Sequence, residues 1–183
     1  MTDLTTIAAV KAYIGKTDMA DDAVLQQLVT GYSQFVRSWC SRDFSVQSYD
    51  LWRSGRGNVI MITPQWPITA VSAVVVDGTS IPAQASWGAF GYRFTDRSVV
   101  LDGGATFTMG ASNVHISYSA GYTSIPADVA QAVNELVALR YRLRDKLEWS
   151  SKSLAGETVT LITRDMPASV ATLLKQYQNV VPL

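Results

Sequence analysis

The chain begins with apolar residues at the spacing of two amphipathic helices. A short first helix has three apolar residues on one face, Ile7, Val10 and Ile14. Thr5 or Thr6 can cap it, and Gly15 is a natural stop. A longer helix begins at Asp21 or Asp22 and ends by about residue 42. Its apolar positions recur every three or four residues: Leu25, Leu28, Val29, Tyr32, Phe35, Val36 and Trp39.

The period then changes from that of a helix to the alternation of strands. The pattern between Phe44 and Tyr122 predicts six strands, at 47–53, 58–63, 68–76, 90–94, 97–101 and 113–119. The stretch ITAVSAVVVDGTSI predicts a hairpin that turns at Asp-Gly. Phe90, Tyr92 and Phe94 alternate onto one face, which predicts a core position for all three.

Helical spacing returns at Pro126, a good first-turn residue, and continues to about residue 147. A small polar loop at 150–156 and an alternating strand at 157–163 follow. A last helix at 167–178 has its apolar side chains inward: Val170, Leu173, Leu174 and Tyr177. The fold class predicted is α+β, with about four helices in a bundle, an inserted antiparallel β domain and a late strand or hairpin segment. The predicted domains are a helical core, 1–44 with 122–183, and an inserted β domain, 45–121.

The late strand lies far along the sequence from the other predicted strands, so its pairing partner is an open question. A strand at 157–163 can add to an exposed sheet edge of another copy or of a partner protein, where main-chain hydrogen bonds supply affinity. It can also pair within its own chain, for example with the β block.

Charge and composition exclude some classes of function. Fifteen basic residues balance fifteen acidic ones, so the chain lacks the electrostatic signature of tight binding to nucleic acid or anionic membrane. Neutrality also favours association. A single cysteine, Cys40, excludes an internal disulfide and fits a reducing cytosol. The N-terminus lacks the pattern of a signal peptide, and the longest apolar run is too short to span a bilayer.

The sequence offers little catalytic or metal-binding chemistry. The single histidine, His115, alternates with Val114 and Ile116, which predicts a surface or interface strand position beside Ser117. A Ser/His/Asp triad remains open, but no Gly-x-Ser-x-Gly elbow supports it. One histidine and one cysteine far apart do not make a usual zinc site, and Cys40 is expected in the core. SGRG at 54–57 and DGG at 102–104 lack phosphate-loop spacing and predict turns. We therefore expect no catalytic residues, no metal and no cofactor.

The segment RYRLRDK at 140–146 is the most basic part of the chain. At helical spacing Arg140 and Arg144 share one face, and Arg142 and Lys146 share another. Three interpretations remain open for these residues: a solvated helix end, ion pairs between subunits, or contact with DNA.

Three segments, taken in order, resemble the phage head–tail connector (adaptor) proteins, also called head completion proteins. These segments are ADDAVLQQLVTGYSQFVRSWCSRDF, HISYSAGYTSIPADVAQAVNELVALRYRLRD and SSKSLAGETVTL. The β block, roughly 45–112, departs from nearly all-helical members and is similar to a prophage subgroup with a β insertion. The resemblance leaves the contacts of that insertion open.

The resemblance implies a structural virion protein without enzymatic activity. It implies a homo-oligomeric ring, expected to be dodecameric, beneath the portal protein of a head assembled in the host cytoplasm. The ring would extend the channel for passing double-stranded DNA without binding it tightly, and would dock a stopper or tail-completion protein. Alternatives are a tail-completion or neck protein one layer lower, a small-barrel nucleic-acid-binding module, and an unrecognised hydrolase.

Candidate contact residues fall in the late segment and at the chain end. We expect portal or inter-subunit contacts from Lys152, Leu154, Gly156, Glu157, Val159, Leu161, Tyr177, Val180, Val181, Pro182 and Leu183. The candidate inter-subunit or channel charges are Arg140, Arg142, Arg144 and Lys146.

Overall fold

The computed structural model describes residues 2–144, 151–154, 157–160 and 166–179. Its contacts divide the chain into two compact units. A helical unit contains the chain up to Arg42 together with Ile125–Asn179, and a β unit contains Asp43–Ser124. These divisions lie close to the predicted domain boundaries. The α+β class and the inserted antiparallel β region are confirmed.

The helical unit is organised around its third helix. The described helices are α1 (Ile7–Ile14), α2 (Asp22–Cys40), α3 (Ala127–Leu143) and α4 (Ala168–Lys175). As predicted, α1 starts at a threonine cap, because Thr6 Oγ1 accepts a 3.2 Å bond from the Ala9 amide, and it ends at left-handed Gly15. Helix α3 contacts each of the other three. The arrangement of the helices as a bundle stays a prediction.

The apolar stripes of these helices supply the buried side chains of the helical unit. The fully buried positions include Val10, Leu25, Val29, Val36, Cys40, Val129, Val133, Leu136, Val170 and Leu174. Cys40 therefore occupies the core position expected from sequence, and burial raises the pKa of its thiol to about 11.

The β unit contains two antiparallel sheets. Its strands are β1 (Gln47–Gly55), β2 (Ile60–Ile62), β3 (Ile68–Val76), β4 (Thr79–Ile81), β5 (Gly91–Phe94), β6 (Ser98–Asp102) and β7 (Gly110–Ala120). The first sheet has the order β1-β7-β3-β4, and the second has the order β2-β6-β5. One hydrophobic core takes side chains from both sheets, including Val74, Ile116 and Tyr118 from the first and Val99 and Leu101 from the second.

The Asp-Gly turn forms the hairpin that the sequence predicts. Val76 pairs with Thr79, and the two residues between them, Asp77 and Gly78, have φ angles of 52° and 76°. Positive φ at both central positions is the type I′ pattern, whose twist matches that of paired strands. Strand β4 is the return arm.

The three alternating aromatic residues do not all enter the core, which corrects the prediction. Tyr92 is buried at the middle of β5, and its hydroxyl donates a 3.0 Å bond to the Val71 carbonyl. Phe90 and Phe94 are exposed. Phe90 precedes the strand and Phe94 is its last residue, so neither is enclosed by neighbouring strands on both sides.

A two-stranded sheet lies between α3 and α4 in sequence. Its strands are β8 (Ser151–Leu154) and β9 (Glu157–Thr160). The predicted loop at 150–156 is therefore wrong over 151–154, which is extended and paired. The predicted strand is observed over 157–160, and positions 161–163 lie outside the described residues.

The SGRG segment is a strand end with an irregular register, and only its second half fits the predicted turn. The register of β1 and β7 shifts between Arg53 and Gly55, and a β-carbon placed on Gly55 would lie 1.9 Å from the backbone oxygen of Thr108. Residues 103–104 of the DGG segment form the predicted turn, with positive φ at both glycines.

Replacement of Gly55 by alanine should destabilise the protein, because a methyl group has no room beside the Thr108 backbone. We expect Gly55→Ala to lower the free energy of unfolding by about 1–3 kcal/mol, as overpacking does. Gly31→Ala is the matched control, since Gly31 lies within α2 with open space around it. That control should gain about 0.5–1 kcal/mol. Equal urea midpoints for Gly55→Ala and the wild type would contradict the close approach.

Candidate assembly surfaces

The β8–β9 hairpin answers the question of where the late strand pairs. Ser151 pairs with Thr160, and Leu154 pairs with Glu157, so β9 lies antiparallel to β8 of its own chain. Within the described residues this sheet has only these two strands. The alternative that 157–160 pairs within its own chain is therefore observed, with β8 and not the β block as the partner. The expectation that this strand depends on another chain for its first partner is wrong. Each strand still has one outer edge.

The predicted contact residues lie on the hairpin, on the ends of α3 and α4, and in parts of the chain outside the described residues. Four lie on the two strands: Lys152, Leu154, Glu157 and Val159. The others outside the described residues are Lys146, Gly156, Leu161, Val180, Val181, Pro182 and Leu183. For all of these residues, contact with a partner stays a prediction.

Tyr177 joins the end of α4 to the start of α3. Its hydroxyl lies 2.8 Å from both carboxylate oxygens of Asp128, and Gln176 Nε2 donates a 2.7 Å bond to the same carboxylate. The side chain is half-buried. Its predicted inward orientation is observed, and its hydroxyl already has a partner within the chain.

The basic end of α3 is tied to the start of α2 through an acidic residue. Asp21 accepts hydrogen bonds from Lys16 Nζ and from the Tyr141 hydroxyl. Arg144 Nη2 lies 3.7 Å from Asp21, and its guanidinium stacks 4.0 Å from the Tyr141 ring centroid. Arg140 and Arg142 are exposed. This charged cluster therefore holds three segments of the helical unit together, and it engages one of the arginines proposed for the channel.

The electrostatics of the cluster follow from these contacts. The hydrogen bond from Lys16, followed by that from Tyr141, lowers the pKa of Asp21. The bond to Asp21, followed by a second bond that Lys16 donates to the Tyr141 hydroxyl, raises the pKa of Lys16 above its usual value. Both shifts favour the charged forms, so the cluster is fully charged near neutral pH.

The single histidine lies in a polar cluster that lacks the arrangement of a catalytic triad. Ser117 Oγ donates a 2.6 Å bond to Asp50 Oδ1, and His115 Nε2 lies 3.1 Å from the same oxygen. In a triad the imidazole bridges the two groups through different nitrogens. Here serine and histidine both contact one carboxylate oxygen, and Ser117 is 3.4 Å from that same Nε2. The hydrogen bonds from Ser117 and His115 lower the pKa of Asp50.

Trp52 completes this cluster on the outer face of the first sheet. Its ring stacks on His115 at 4.3 Å between centroids, as expected for the directly paired positions 52 and 115. The side chain remains largely exposed. The stacking holds Trp52 in place on the surface of β1. His115, beneath it, lies on the outer face of the sheet, as the sequence predicts.

Neither a metal centre nor a membrane span emerges from the described part of the chain. No group of three or more His, Cys, Asp or Glu side chains there could hold a metal ion. The described helices are all too short or too polar to cross a bilayer.

One exposed surface was missed by the sequence interpretation. Ile60 and Ile62 on β2 point away from the core of the β unit and are exposed. The signal was present as the unbroken apolar run VIMI at 59–62, which is typical of a strand covered on both faces.

The family of the chain is decided by a match along almost its whole length. The sequence model of the family described as "Head completion protein" matches residues 3–180. The chain belongs to the head completion protein family. The resemblance noted in three separate segments is thereby confirmed, and the match runs through the β unit as well as the helical unit. No curated protein matches the chain.

Solved structures with a similar fold come from gene transfer agent (GTA) particles. The neck of an empty GTA particle computed with C6 symmetry contains a chain with a TM-score of 0.59 and 22% identity. A chain in the virion of a native GTA particle has a TM-score of 0.57 and 21% identity. A chain in the native neck computed with C12 symmetry has a TM-score of 0.54 and 20% identity. Each similarity covers 100% of this head completion protein and 96% of the other chain. At this identity the similarity establishes the fold.

The Asp21 cluster predicts a pH dependence of stability. Because the folded state lowers the pKa of Asp21, its contribution is present above the unfolded pKa of about 3.9 and is lost as the pH falls through the lower folded pKa. We expect Asp21→Asn to lower the urea midpoint at pH 7 and to show a smaller further loss than the wild type between pH 5 and pH 2. Asp96→Asn, an exposed change in the other unit, serves as the control. Parallel pH profiles for Asp21→Asn and the wild type would count against the cluster.

Proposed function

We propose that this head completion protein is a head–tail adaptor. It forms a ring beneath the portal, extends the DNA channel and presents a docking surface for a stopper or tail protein. The observation that carries the proposal is the full-length agreement of family and fold. A head completion match over residues 3–180 coincides with a fold found along whole chains of necks that were computed with sixfold and twelvefold symmetry.

The charge of the chain supports a passive channel. Fifteen basic and fifteen acidic residues give a net charge of zero, so DNA can move past without strong attraction. Arg144 is engaged by Asp21 and Tyr141, which further limits the positive charge available at the end of α3.

The β unit lacks the charge expected of a nucleic-acid-binding module. Residues 43–124 contain four arginines and no lysine, against five aspartates and no glutamate, so its net charge is minus one. Exposed Phe90 and Phe94 could stack on bases, but single-strand binding combines such stacking with a positive groove. The charge balance therefore favours the adaptor over the barrel alternative.

The β8–β9 hairpin is suited to dock on a portal or neighbouring subunit. An isolated two-stranded sheet is only marginally stable in water, and a third strand adds hydrogen bonds and burial. In a hairpin with two loop residues, the flanking pair Leu154–Glu157 is hydrogen-bonded. By alternation, the amides of Thr158 and Thr160 point away from β8, towards the outer edge.

Particles made without this protein test the proposed function. We expect filled heads that contain portal but carry no tails, because the connecting layer is absent. Addition of the purified protein should restore joining, and the protein should sediment with heads before tails are present. Binding to isolated tails instead of heads would place it one layer lower. Normal tail attachment in its absence would contradict both positions.

Proline substitutions in β9 test docking through the hairpin edge. Thr160→Pro removes an amide that points outward, so it should leave the free subunit stable and block head–tail joining. Val159→Pro removes an amide directed at β8 and should also open the hairpin in the free subunit. Hydrogen exchange at residues 151–160 measures the hairpin, and electron microscopy counts joined particles. Joining by Thr160→Pro at the wild-type level would show that this edge is not used.

A further inference from the structure

The outer face of the second sheet is apolar although its inner face already forms the core. Met61 pairs with Val99 and Tyr92 with Leu101, and all four belong to the buried core. The residues between them therefore point to the opposite face. This outer face consists of Ile60, Ile62, Arg93, Ser98 and Val100, together with Trp87, which stacks on Arg93. Val100, at its centre, is already buried.

The residues of the outer face are contiguous across three strands. Ile60 pairs with Val100, and Val100 pairs with Arg93, whose guanidinium lies 5.0 Å from the centroid of the Trp87 ring. Ile62 is next along β2 on the same face. The exposed fractions are 49% for Ile60, 73% for Ile62 and 84% for Trp87. Large side chains exposed together in this way mark an interaction surface.

An open strand edge borders this face. The Leu101 amide donates to the Val59 carbonyl, and the Thr63 amide donates to the Arg97 carbonyl, so 59 and 63 face β6. By alternation, the main-chain groups of Ile60 and Ile62 point away from β6. Just before β2 this outer side is occupied, because the Phe107 amide donates to the Asn58 carbonyl. At Ile60 and Ile62 no described strand lies on that side. An apolar strand with an open edge is an aggregation hazard unless a specific partner covers it.

Arg93 gives this surface a hydrogen-bond donor that needs an acceptor. Its Nε is buried, and among the described residues it has no hydrogen-bond acceptor. A partner that covers Ile60 and Trp87 would complete this site with a carbonyl or carboxylate oxygen. The surface therefore fits an apolar strand or loop that carries an acceptor.

We propose that the outer face and open edge of β2 contact the next copy of this chain in the ring. The assignment rests on the proposed adaptor function, and it gives the β unit a role in closing the ring. A net charge of zero removes the repulsion that would otherwise oppose packing of identical copies.

The topology of the β unit suits head-to-tail contact between copies. Pairing of β2 with β2 of another copy would be a twofold contact, which ends at a dimer, whereas a ring needs two different patches on each subunit. The first sheet ends in β1 and β4, and the second ends in β2 and β5. The nine-residue β1 offers an edge unlike that of β2, as a ring requires.

Charge placed on β2 should prevent self-association. We expect the double variant Ile60→Asp/Ile62→Asp to weaken assembly by at least about 30-fold in sedimentation velocity, as the loss of a central contact does. Val24→Asp is the control, because Val24 is 45% exposed on α2 in the other unit. Unchanged circular dichroism would show that the double variant is folded.

Alkylation gives a second measurement that does not require a variant with weakened assembly. Cys40 is buried, so a maleimide reacts with a cysteine introduced at Ile62. Ile62→Cys should react at least about 10-fold more slowly in the ring than in the monomer, since binding removes it from water. Val24→Cys should react equally fast in both.

The outcomes separate this assignment from the adaptor function. Rings formed by the double variant at wild-type strength, or equal alkylation of Ile62→Cys in ring and monomer, would overturn the assignment alone. Normal rings that fail to join heads to tails would show that the face binds another protein, which also overturns it. If the wild type forms no ring in solution or on heads, the adaptor function and this assignment fail together.

Discussion

The main-chain groups at a sheet edge must find partners, and the structure of this head completion protein is organised around that requirement. Its sheets are open, and among their end strands β1 and β2 retain outward main-chain groups. The β8–β9 hairpin is a sheet of two short strands, so each of its strands also has an outer edge. Water satisfies such edges in a free subunit, but a neighbouring strand satisfies them while also burying apolar side chains. The protein is therefore suited to assembly.

The helical unit is organised around α3. Helix α3 contacts the other three helices, and its ends are fixed by two acidic residues on different elements. Asp128 binds Tyr177 and Gln176 at one end, and Asp21 binds Tyr141 and Arg144 at the other. In sequence, the β8–β9 hairpin lies between α3 and α4.

Sequence patterns predicted the elements whose structure depends on local chemistry. The Thr6 cap and Gly15 stop of α1 and the Asp77-Gly78 turn are set by a few adjacent residues, and all are observed. Such local patterns could not predict which distant strands pair with each other. The cluster of Asp50, His115 and Ser117 exists because β1 pairs with β7, 65 residues away along the chain at His115 and Asp50.

The wrong or missed predictions also concern features that depend on contacts between distant residues. Phe90, Tyr92 and Phe94 have identical alternation, but only Tyr92 lies far enough inside β5 to be enclosed. The run VIMI has no alternation, so it could not indicate which isoleucines face outward until the pairing with β6 was known. Strand β8 was missed because its small polar residues are as typical of a loop as of an exposed strand.

The mass of the complex formed with a purified portal ring tests the central claim most directly. The mass of the portal should increase by twelve copies of the 19.9 kDa chain, in a single cooperative step. Variable, non-integral occupancy, or no increase at all, would show that this protein is not a ring-forming adaptor.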